Sequence, residues 1–118
     1  MLGGMNRDLL TTRKDGATLI LGLNGVEVPD ESLVARYTAQ VLRLLQEYPE
    51  CQVLSFDVTK VQILPSAMLG LLATVRKRGR DVEVHNPSNF IQEALRVTKL
   101  TNFVTVTFDN KGDPAMSG

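Results

Sequence analysis

The chain has 118 residues, 43% hydrophobic and 22% charged, and its 13 basic and 13 acidic side chains cancel to a formal net charge of zero. This length fits one domain with a single hydrophobic core, and the balanced charge gives no reason to expect nucleic acid, an anionic membrane or a strongly charged substrate as a partner. No apolar run is long enough to cross a bilayer, and the single cysteine, Cys51, excludes an internal disulfide and a multi-cysteine metal site. We therefore expect a cytoplasmic protein.

Composition also suggests the domain boundaries. Residues 1–8 lack the apolar core of a signal peptide and are predicted to be a flexible lead. Residues 109–118 are polar and contain glycine and proline, which predicts a flexible tail. The folded domain is therefore predicted to span residues 9–108.

A β-hairpin is predicted at the start of the domain. Residues 17–23 form an apolar strand that follows the turn pair Asp15 and Gly16, and residues 9–13 are its expected partner at the sheet edge. Gly25 then opens a loop that leads to the first helix.

The first helix is predicted to begin at a cap, Asp30 or Ser32, and to stop at Pro49. Six residues at helical spacing form its apolar face: Val34, Tyr37, Val41, Leu44, Leu45 and Tyr48. Polar residues are predicted on the opposite face: Arg36, Gln40, Arg43 and Glu47.

The central segment combines a strand with a second helix. Residues 53–58 are short and apolar enough for a mostly buried strand. A helix follows from about Ser66, and its apolar stripe comprises Met68, Leu71, Leu72 and Val75. Basic residues at 76–78 are typical of a helix C-terminus, where they stabilise the negative end of the helix dipole. Gly79 provides a left-handed cap.

Ser66 stands at the start of this helix and admits two interpretations. As the N-cap, its hydroxyl would accept a hydrogen bond from a first-turn amide and add about 1 kcal/mol to helix stability. As a phosphorylation site, it would place phosphate against free amides and the positive end of the helix dipole, and would alter any interface over that turn. The residue types alone favour the cap.

The last third of the chain adds two strands and a helix. Residues 82–85 are predicted as a short strand, and Asn86 with Pro87 as the N-cap and first-turn proline of a third helix. The buried residues of this part are predicted to be Ile91, Ala94, Leu95 and Leu100. Residues 103–107 are predicted as the last strand.

The resulting order of elements is strand, strand, helix, strand, helix, strand, helix, strand. This alternation predicts an α/β layer around a largely parallel or mixed sheet with right-handed crossovers. In such folds function is carried by loops at the carboxyl ends of strands. Three segments have that position: residues 24–30, 61–66 and 85–88.

Catalytic, metal-binding and cofactor chemistry is poorly represented. His85 is the only histidine, and a lone imidazole at a strand end is typically satisfied by backbone groups. Gly22 and Gly25 lack the spacing of a phosphate-binding loop. Asp57 ends the central strand without the acid pair that a receiver domain needs for magnesium, so we expect loop amides to satisfy it. The sequence predicts neither an enzyme nor a bound cofactor or metal.

Three stretches of the chain carry a family likeness: residues 21–25, residues 56–72, and residues 84–88 with the following helix that ends at residues 98–100. Over roughly residues 9–106 they resemble the STAS domain family, the anti-sigma factor antagonist type in particular. The resemblance implies an α/β fold with a single layer of mixed sheet, about four to five strands, and helices packed mainly on one face. In this family, small proteins bind a serine kinase anti-sigma factor, and phosphorylation of a serine at the start of the central helix switches binding off.

The switch motif of the family departs here from its usual residues. The motif Asp, Ser, Ser, Gly, Leu, Gly is matched by Pro65, Ser66, Ala67, Met68, Leu69 and Gly70. The phosphorylated second serine is thus replaced by Ala67, and the acidic residue after the first glycine loop corresponds to Val28, with Glu27 beside it. The resemblance therefore implies that the standard phosphoacceptor is missing and that Ser66 is the neighbouring hydroxyl left for a kinase.

The leading hypothesis is a regulatory protein-binding module in a signalling or transcription-control pathway. Its predicted interface comprises Asn24, Gly25, Glu27, Pro65, Ser66, Ala67, Met68 and Leu69. The expected partner is a serine kinase anti-sigma factor or another STAS protein, with homodimer formation left open. The first alternative is a constitutive scaffold subunit of a larger STAS-type signalling assembly, and the second is a small-ligand or nucleotide-binding domain.

Overall fold

The computed structural model describes residues 10–109, which form one mixed β-sheet with helices between its strands. The strands are β1 (Thr11–Asp15), β2 (Thr18–Gly22), β3 (Val53–Asp57), β4 (Asp81–His85) and β5 (Val104–Thr107). The helices are α1 (Glu31–Glu47), α2 (Ser66–Lys77) and α3 (Asn89–Val97), and a 3-10 turn, Leu100–Asn102, precedes β5.

The five strands lie side by side in chain order. β1 is antiparallel to β2, and every later neighbour is parallel. The predicted hairpin and the predicted mixed sheet are therefore confirmed. The predicted lead, 1–8, and residues 110–118 of the predicted tail, 109–118, lie outside the described residues.

The helices pack on one face of the sheet, which we call the core face. Side chains alternate between the two faces along a strand, and six that point to the core face are fully buried: Leu19, Leu21, Leu54, Phe56, Val82 and Val84. Because parallel strands follow one another in chain order, right-handed crossovers place all three helices on the same side. The opposite face, which we call the open face, carries Ser55, Glu83 and His85 among its residues.

Gln40 of α1 is buried, which corrects the prediction that it faces solvent. Its Oε1 accepts a hydrogen bond from the Leu10 N–H at 2.8 Å, and its Nε2 donates to the Leu10 carbonyl oxygen at 2.9 Å. One amide side chain thus satisfies both backbone groups of the residue that enters β1. The remainder of α1 is as predicted, with Asp30 as N-cap accepting from the Leu33 N–H at 2.8 Å.

Two glycines adopt the left-handed backbone that their predicted turns require. Gly16 (φ +64°) closes the hairpin, and Gly79 (φ +89°) follows α2. The start of α3 differs from the prediction, because its N-cap is Ser88, whose hydroxyl oxygen accepts a hydrogen bond from the Ile91 N–H at 3.1 Å. Asn86 is instead a turn residue at φ +60°, since its side chain is engaged with neighbouring loops.

Gly70 lies on the exposed side of α2, and a methyl group there would meet no other atom within 4 Å. Glycine in a helix interior costs about 1 kcal/mol relative to alanine. We therefore expect Gly70→Ala to raise the free energy of unfolding by about 0.5 to 1 kcal/mol, measured by urea denaturation. An unchanged or lower value would contradict a continuous helical backbone at this position.

Candidate functional site

Three loops that follow parallel strands converge at one end of the sheet, where α/β folds carry their binding sites. The Gln62 N–H donates to the Glu27 carbonyl oxygen at 2.7 Å, which joins the loop after β3 to the loop after β2. Ser88 Oγ donates to the Gln62 carbonyl oxygen at 2.8 Å, which adds the loop after β4. The segments singled out from the sequence, 24–30, 61–66 and 85–88, are therefore in contact.

Each of these loops contains a non-glycine residue whose backbone φ lies in the left-handed region. These residues are Asn24 (φ +57°), Lys60 (φ +71°) and Asn86 (φ +60°). This conformation costs about 1 kcal/mol or more for most residues and less for asparagine. Such residues persist only where the surroundings hold them, and they cluster at functional sites. Three of the four non-glycine residues with positive φ within residues 10–109 thus lie at this end of the sheet, and the fourth, Lys99, precedes β5.

A chain of side-chain hydrogen bonds holds this end together. Thr59 Oγ1 donates to Asp57 Oδ1 at 2.6 Å, and the Thr59 N–H donates to the same oxygen at 3.0 Å. Asn86 Nδ2 donates to Thr59 Oγ1 at 2.9 Å and to Asp109 Oδ2 at 3.1 Å, and Asn86 Oδ1 accepts from the Asp109 N–H at 2.9 Å. Asp57 is therefore satisfied by its own loop, as predicted.

His85 belongs to the same network. Its Nδ1 lies 2.8 Å from Thr107 Oγ1 and its Nε2 lies 2.8 Å from Asp109 Oδ1, so its partners are side chains and not the predicted backbone groups. A hydroxyl, an imidazole and a carboxylate in line have the composition of a catalytic triad, in which the carboxylate is buried. Because the Asp109 side chain is 65% exposed, we interpret the arrangement as structural. We call the hydrogen-bonded cluster of Thr59, His85, Asn86, Thr107 and Asp109 the clamp, because it holds the end of β5.

Asn86 is the centre of the clamp. We expect its replacement to loosen the loops that follow β3, β4 and β5. Asn86→Ala removes three hydrogen bonds, each worth about 0.5 to 1.5 kcal/mol, and leaves a left-handed backbone that alanine disfavours. We expect a loss of about 2 to 3 kcal/mol in the free energy of unfolding, measured by urea denaturation. Asn86→Gly keeps the backbone relaxed and should lose about 1 kcal/mol less; a negligible loss in both variants would contradict the clamp.

The N-terminus of α2 is capped differently from the prediction. Pro65 is the N-cap residue (φ −71°, ψ 163°) and offers no side-chain hydrogen bond. Its carbonyl oxygen accepts from the Met68 N–H at 2.9 Å and from the Leu69 N–H at 3.2 Å. Ser66 is the first helical residue, one position beyond the cap, so its hydroxyl does not have the predicted capping role. Ser66 and Ala67 are both exposed.

The predicted interface residues do not all reach the surface. Asn24, Gly25, Glu27, Ser66 and Ala67 are exposed, while Pro65 and Leu69 are partly exposed. Met68 is completely buried, because it lies on the helix stripe that faces the core together with Leu71, Leu72 and Val75. Its side chain cannot contact a partner, and the predicted interface is corrected at this position.

Exposed apolar side chains lie on the two loops that the Gln62–Glu27 bond joins and in the first turn of α3. Val28, on the loop that the Glu27 carbonyl anchors, is 56% exposed, and Ile63, next to Gln62, is 47% exposed. Phe90 in the first turn of α3 is 71% exposed. We define the loop surface as Asn24, Gly25, Glu27, Val28, Ile63, Ser66 and Ala67. Sequence reasoning missed Ile63 because an apolar residue in a loop can point either way, and its neighbour Leu64 is buried.

The pKa shifts resolved within residues 10–109 lie outside the loop surface, on α3. The Arg96 guanidinium donates to the Glu93 carboxylate and thereby lowers the pKa of Glu93 below its ordinary value. The same bond raises the pKa of Arg96. Both side chains are exposed, so this ion pair adds little to stability.

No protein-family model and no curated protein sequence matches the chain. Solved structures do match. The anti-sigma factor antagonist SpoIIAA in its unphosphorylated form aligns with a TM-score of 0.70 at 14% identity, over 92% of this chain and 97% of that chain. A Thermotoga maritima protein assigned as an anti-sigma factor antagonist aligns with a TM-score of 0.66 at 16% identity, over 92% of each chain.

These likenesses concern the fold. The chain has the α/β fold of solved anti-sigma factor antagonists, so the STAS-type fold that the resemblance implies is confirmed. Within the described residues, the helices are too short or too polar to span a membrane.

Proposed function

We propose that this protein is a regulatory protein-binding module of the anti-sigma factor antagonist kind, and that it binds its partner through the loop surface. The observation that carries the proposal is the exposure of Val28 and Ile63 beside the first turn of α2, on a fold shared with anti-sigma factor antagonists. The proposed partner is a serine kinase anti-sigma factor or another STAS protein, encountered in the cytoplasm.

The loop surface has the physical properties of a protein interface. Apolar side chains on loops whose backbone is fixed by hydrogen bonds lose little conformational freedom when a partner covers them. The 2.7 Å bond from Gln62 to Glu27 holds the two loops that carry Val28 and Ile63. A few well-packed residues near the centre of an interface carry most of the affinity in protein complexes, and we propose that position for Val28 and Ile63.

We further propose that phosphorylation at the usual position does not switch this binding. Ala67 stands where the family pattern has its phosphorylated serine, and it is exposed at the second position of α2. Successive residues of a helix are turned by about 100° around its axis, so Ser66 presents its hydroxyl in another direction. A kinase that positions residue 67 therefore meets a methyl group.

Replacement of Ile63 by lysine tests the proposed interface. The charged side chain would be placed against the partner's apolar surface, so we expect an affinity loss of about 30-fold or more, the range of an interface hot spot. The measurement is isothermal titration of the full chain with the serine kinase anti-sigma factors encoded in its own genome.

Val97→Lys is the matched control, because Val97 is a β-branched apolar residue, 62% exposed, at the far end of α3. Its affinity should equal that of the wild type, and both variants should keep the wild-type melting temperature. Equal affinities for Ile63→Lys and the wild type would contradict the proposed surface, and absence of binding to every such kinase and STAS protein would contradict the proposed function.

A further inference from the structure

A cleft of about 410 Å³ lies on the open face of the sheet, away from the helices. Ile20 of β2, Ser55 of β3 and Glu83 of β4 occupy one row of the strand register across its floor. Neighbouring strands are about 4.8 Å apart, so these three side chains stand next to one another. A cleft of this volume is large enough for a small organic molecule.

Ser55 is the first indication that the cleft binds a ligand. It lies at the centre of the row and is only 6% exposed. Its hydroxyl has no hydrogen-bond partner among residues 10–109, although it lines the cleft. Because this hydroxyl oxygen opens to the cleft and bonds to no described protein group, it is free to bond a ligand atom.

The charges of the cleft indicate the sign of that ligand. Among residues 10–109, four carboxylates line it, from Asp15, Asp57, Glu83 and Asp109, against two basic side chains, Arg13 and His85. His85 is already bonded to Asp109. Glu83, next to Ser55, has neither an ion pair nor a side-chain hydrogen bond within the described part of the chain. The excess of carboxylates favours a cation, and an unpaired half-buried carboxylate is its natural anchor.

We propose that the cleft binds a small organic cation with a primary ammonium group. The ammonium donates hydrogen bonds to the Glu83 carboxylate and to Ser55 Oγ, and its alkyl part lies against Ile20. A metal ion is disfavoured because no three His, Cys, Asp or Glu side chains within residues 10–109 are grouped to hold one. A quaternary ammonium is disfavoured because such groups are bound by aromatic cages, and none of the described residues that line the cleft is Phe, Tyr or Trp.

The test is a titration of the full chain, followed by amide chemical shifts in NMR. The probes are n-butylammonium and putrescine, with tetramethylammonium and magnesium chloride as comparison cations at equal ionic strength. We expect saturable shifts at residues 20, 55 and 83 with both amines, and at least tenfold weaker binding of the two comparison cations.

Three variants assign the binding to the proposed atoms. Glu83→Gln keeps the side-chain volume and should weaken binding of the amines at least tenfold, and Ser55→Ala should weaken it about threefold or more. Glu47→Gln, on the exposed side of α1, removes the same charge elsewhere and should bind as the wild type does. The melting temperature of each variant without ligand shows that it is folded.

Several results would overturn the proposal. These are the absence of saturable shifts, shifts scattered over all exposed carboxylates, unchanged affinity in Glu83→Gln, or equal losses in Glu83→Gln and Glu47→Gln. Magnesium binding as tightly as the amines at Glu83 would also overturn it, because the site would then be a metal site. Unchanged affinity in Ser55→Ala would remove the hydroxyl from the site and, with it, the argument that led there.

Discussion

Met68→Gly, which introduces the glycine of the motif that this segment resembles, is expected to lower the free energy of unfolding by about 4 kcal/mol. The side chain of Met68 is completely buried between α2 and the sheet. Truncation of a buried methionine to alanine costs about 2 to 5 kcal/mol through lost burial and the cavity left behind, and glycine in a helix costs about 1 kcal/mol more. Met68, the residue at which the chain departs from the motif, is thus part of the core and not of the interface.

Urea denaturation measures this loss, and Leu69→Gly is the control. Leu69 is the adjacent residue on α2 and is only partly buried, so it shares the helix penalty and loses less burial. The Met68 variant should be the less stable of the two by about 1 kcal/mol or more. Equal stability of the two variants would contradict the inward position of Met68.

Ala67→Ser is expected to create a phosphorylation switch at the start of α2. Residue 67 is exposed in the first turn of α2, where phosphate is stabilised by the positive end of the helix dipole. The phosphate would add close to two negative charges to the loop surface that also carries Ile63, and a charge in an apolar interface is strongly disruptive. With ATP and a cognate serine kinase, we expect this variant to lose affinity for the kinase by about two orders of magnitude.

Intact-mass spectrometry and isothermal titration on the same sample test this expectation. One phosphate and a parallel loss of affinity should appear in Ala67→Ser. Both should be absent from Ala67→Thr when the kinase accepts serine but not threonine. A phosphorylated Ala67→Ser variant that binds with wild-type affinity would contradict the position of the interface over the first turn of α2.

Much of the fold follows from short-range pattern. The apolar run of residues 17–23 and the Asp15–Gly16 turn predict the hairpin, and the 3.6-residue spacing of the apolar stripe predicts α2 with its cap at Gly79. Gln40 shows where this reasoning stops. A polar residue on a helix is assigned to solvent by default, and only the approach of Leu10 from a distant part of the chain explains why an amide is buried there.

The start of α3 is a similar case. An asparagine followed by proline matches a helix start, but Asn86 makes its hydrogen bonds to Thr59 and Asp109, which are 27 and 23 residues away in sequence. Ser88 therefore caps the helix. Long-range side-chain bonds of this kind leave no local pattern in the sequence.

The location of the candidate site could be predicted from the sequence, but the side chains exposed there could be predicted only in part. The rule that loops after parallel strands carry function leads to the three segments that meet in the structure. Which apolar loop residue points outward depends on packing, as Ile63 and Leu64 demonstrate with 47% and 5% exposure. The cleft on the open face was not predictable, because its row of Ile20, Ser55 and Glu83 exists only once three strands are in register.

The most direct test of the central claim is a titration of the wild-type chain with the proposed partner, a serine kinase anti-sigma factor, in the presence of ATP or of a non-hydrolysable analogue. The intact mass of the chain is measured at the end of each titration, and Ser66→Ala serves as the control. We expect the same affinity with both nucleotides and an unmodified mass, because Ala67 offers no acceptor. A phosphate on Ser66, with affinity lost in ATP and retained in Ser66→Ala, would contradict the account of an unswitched binding module.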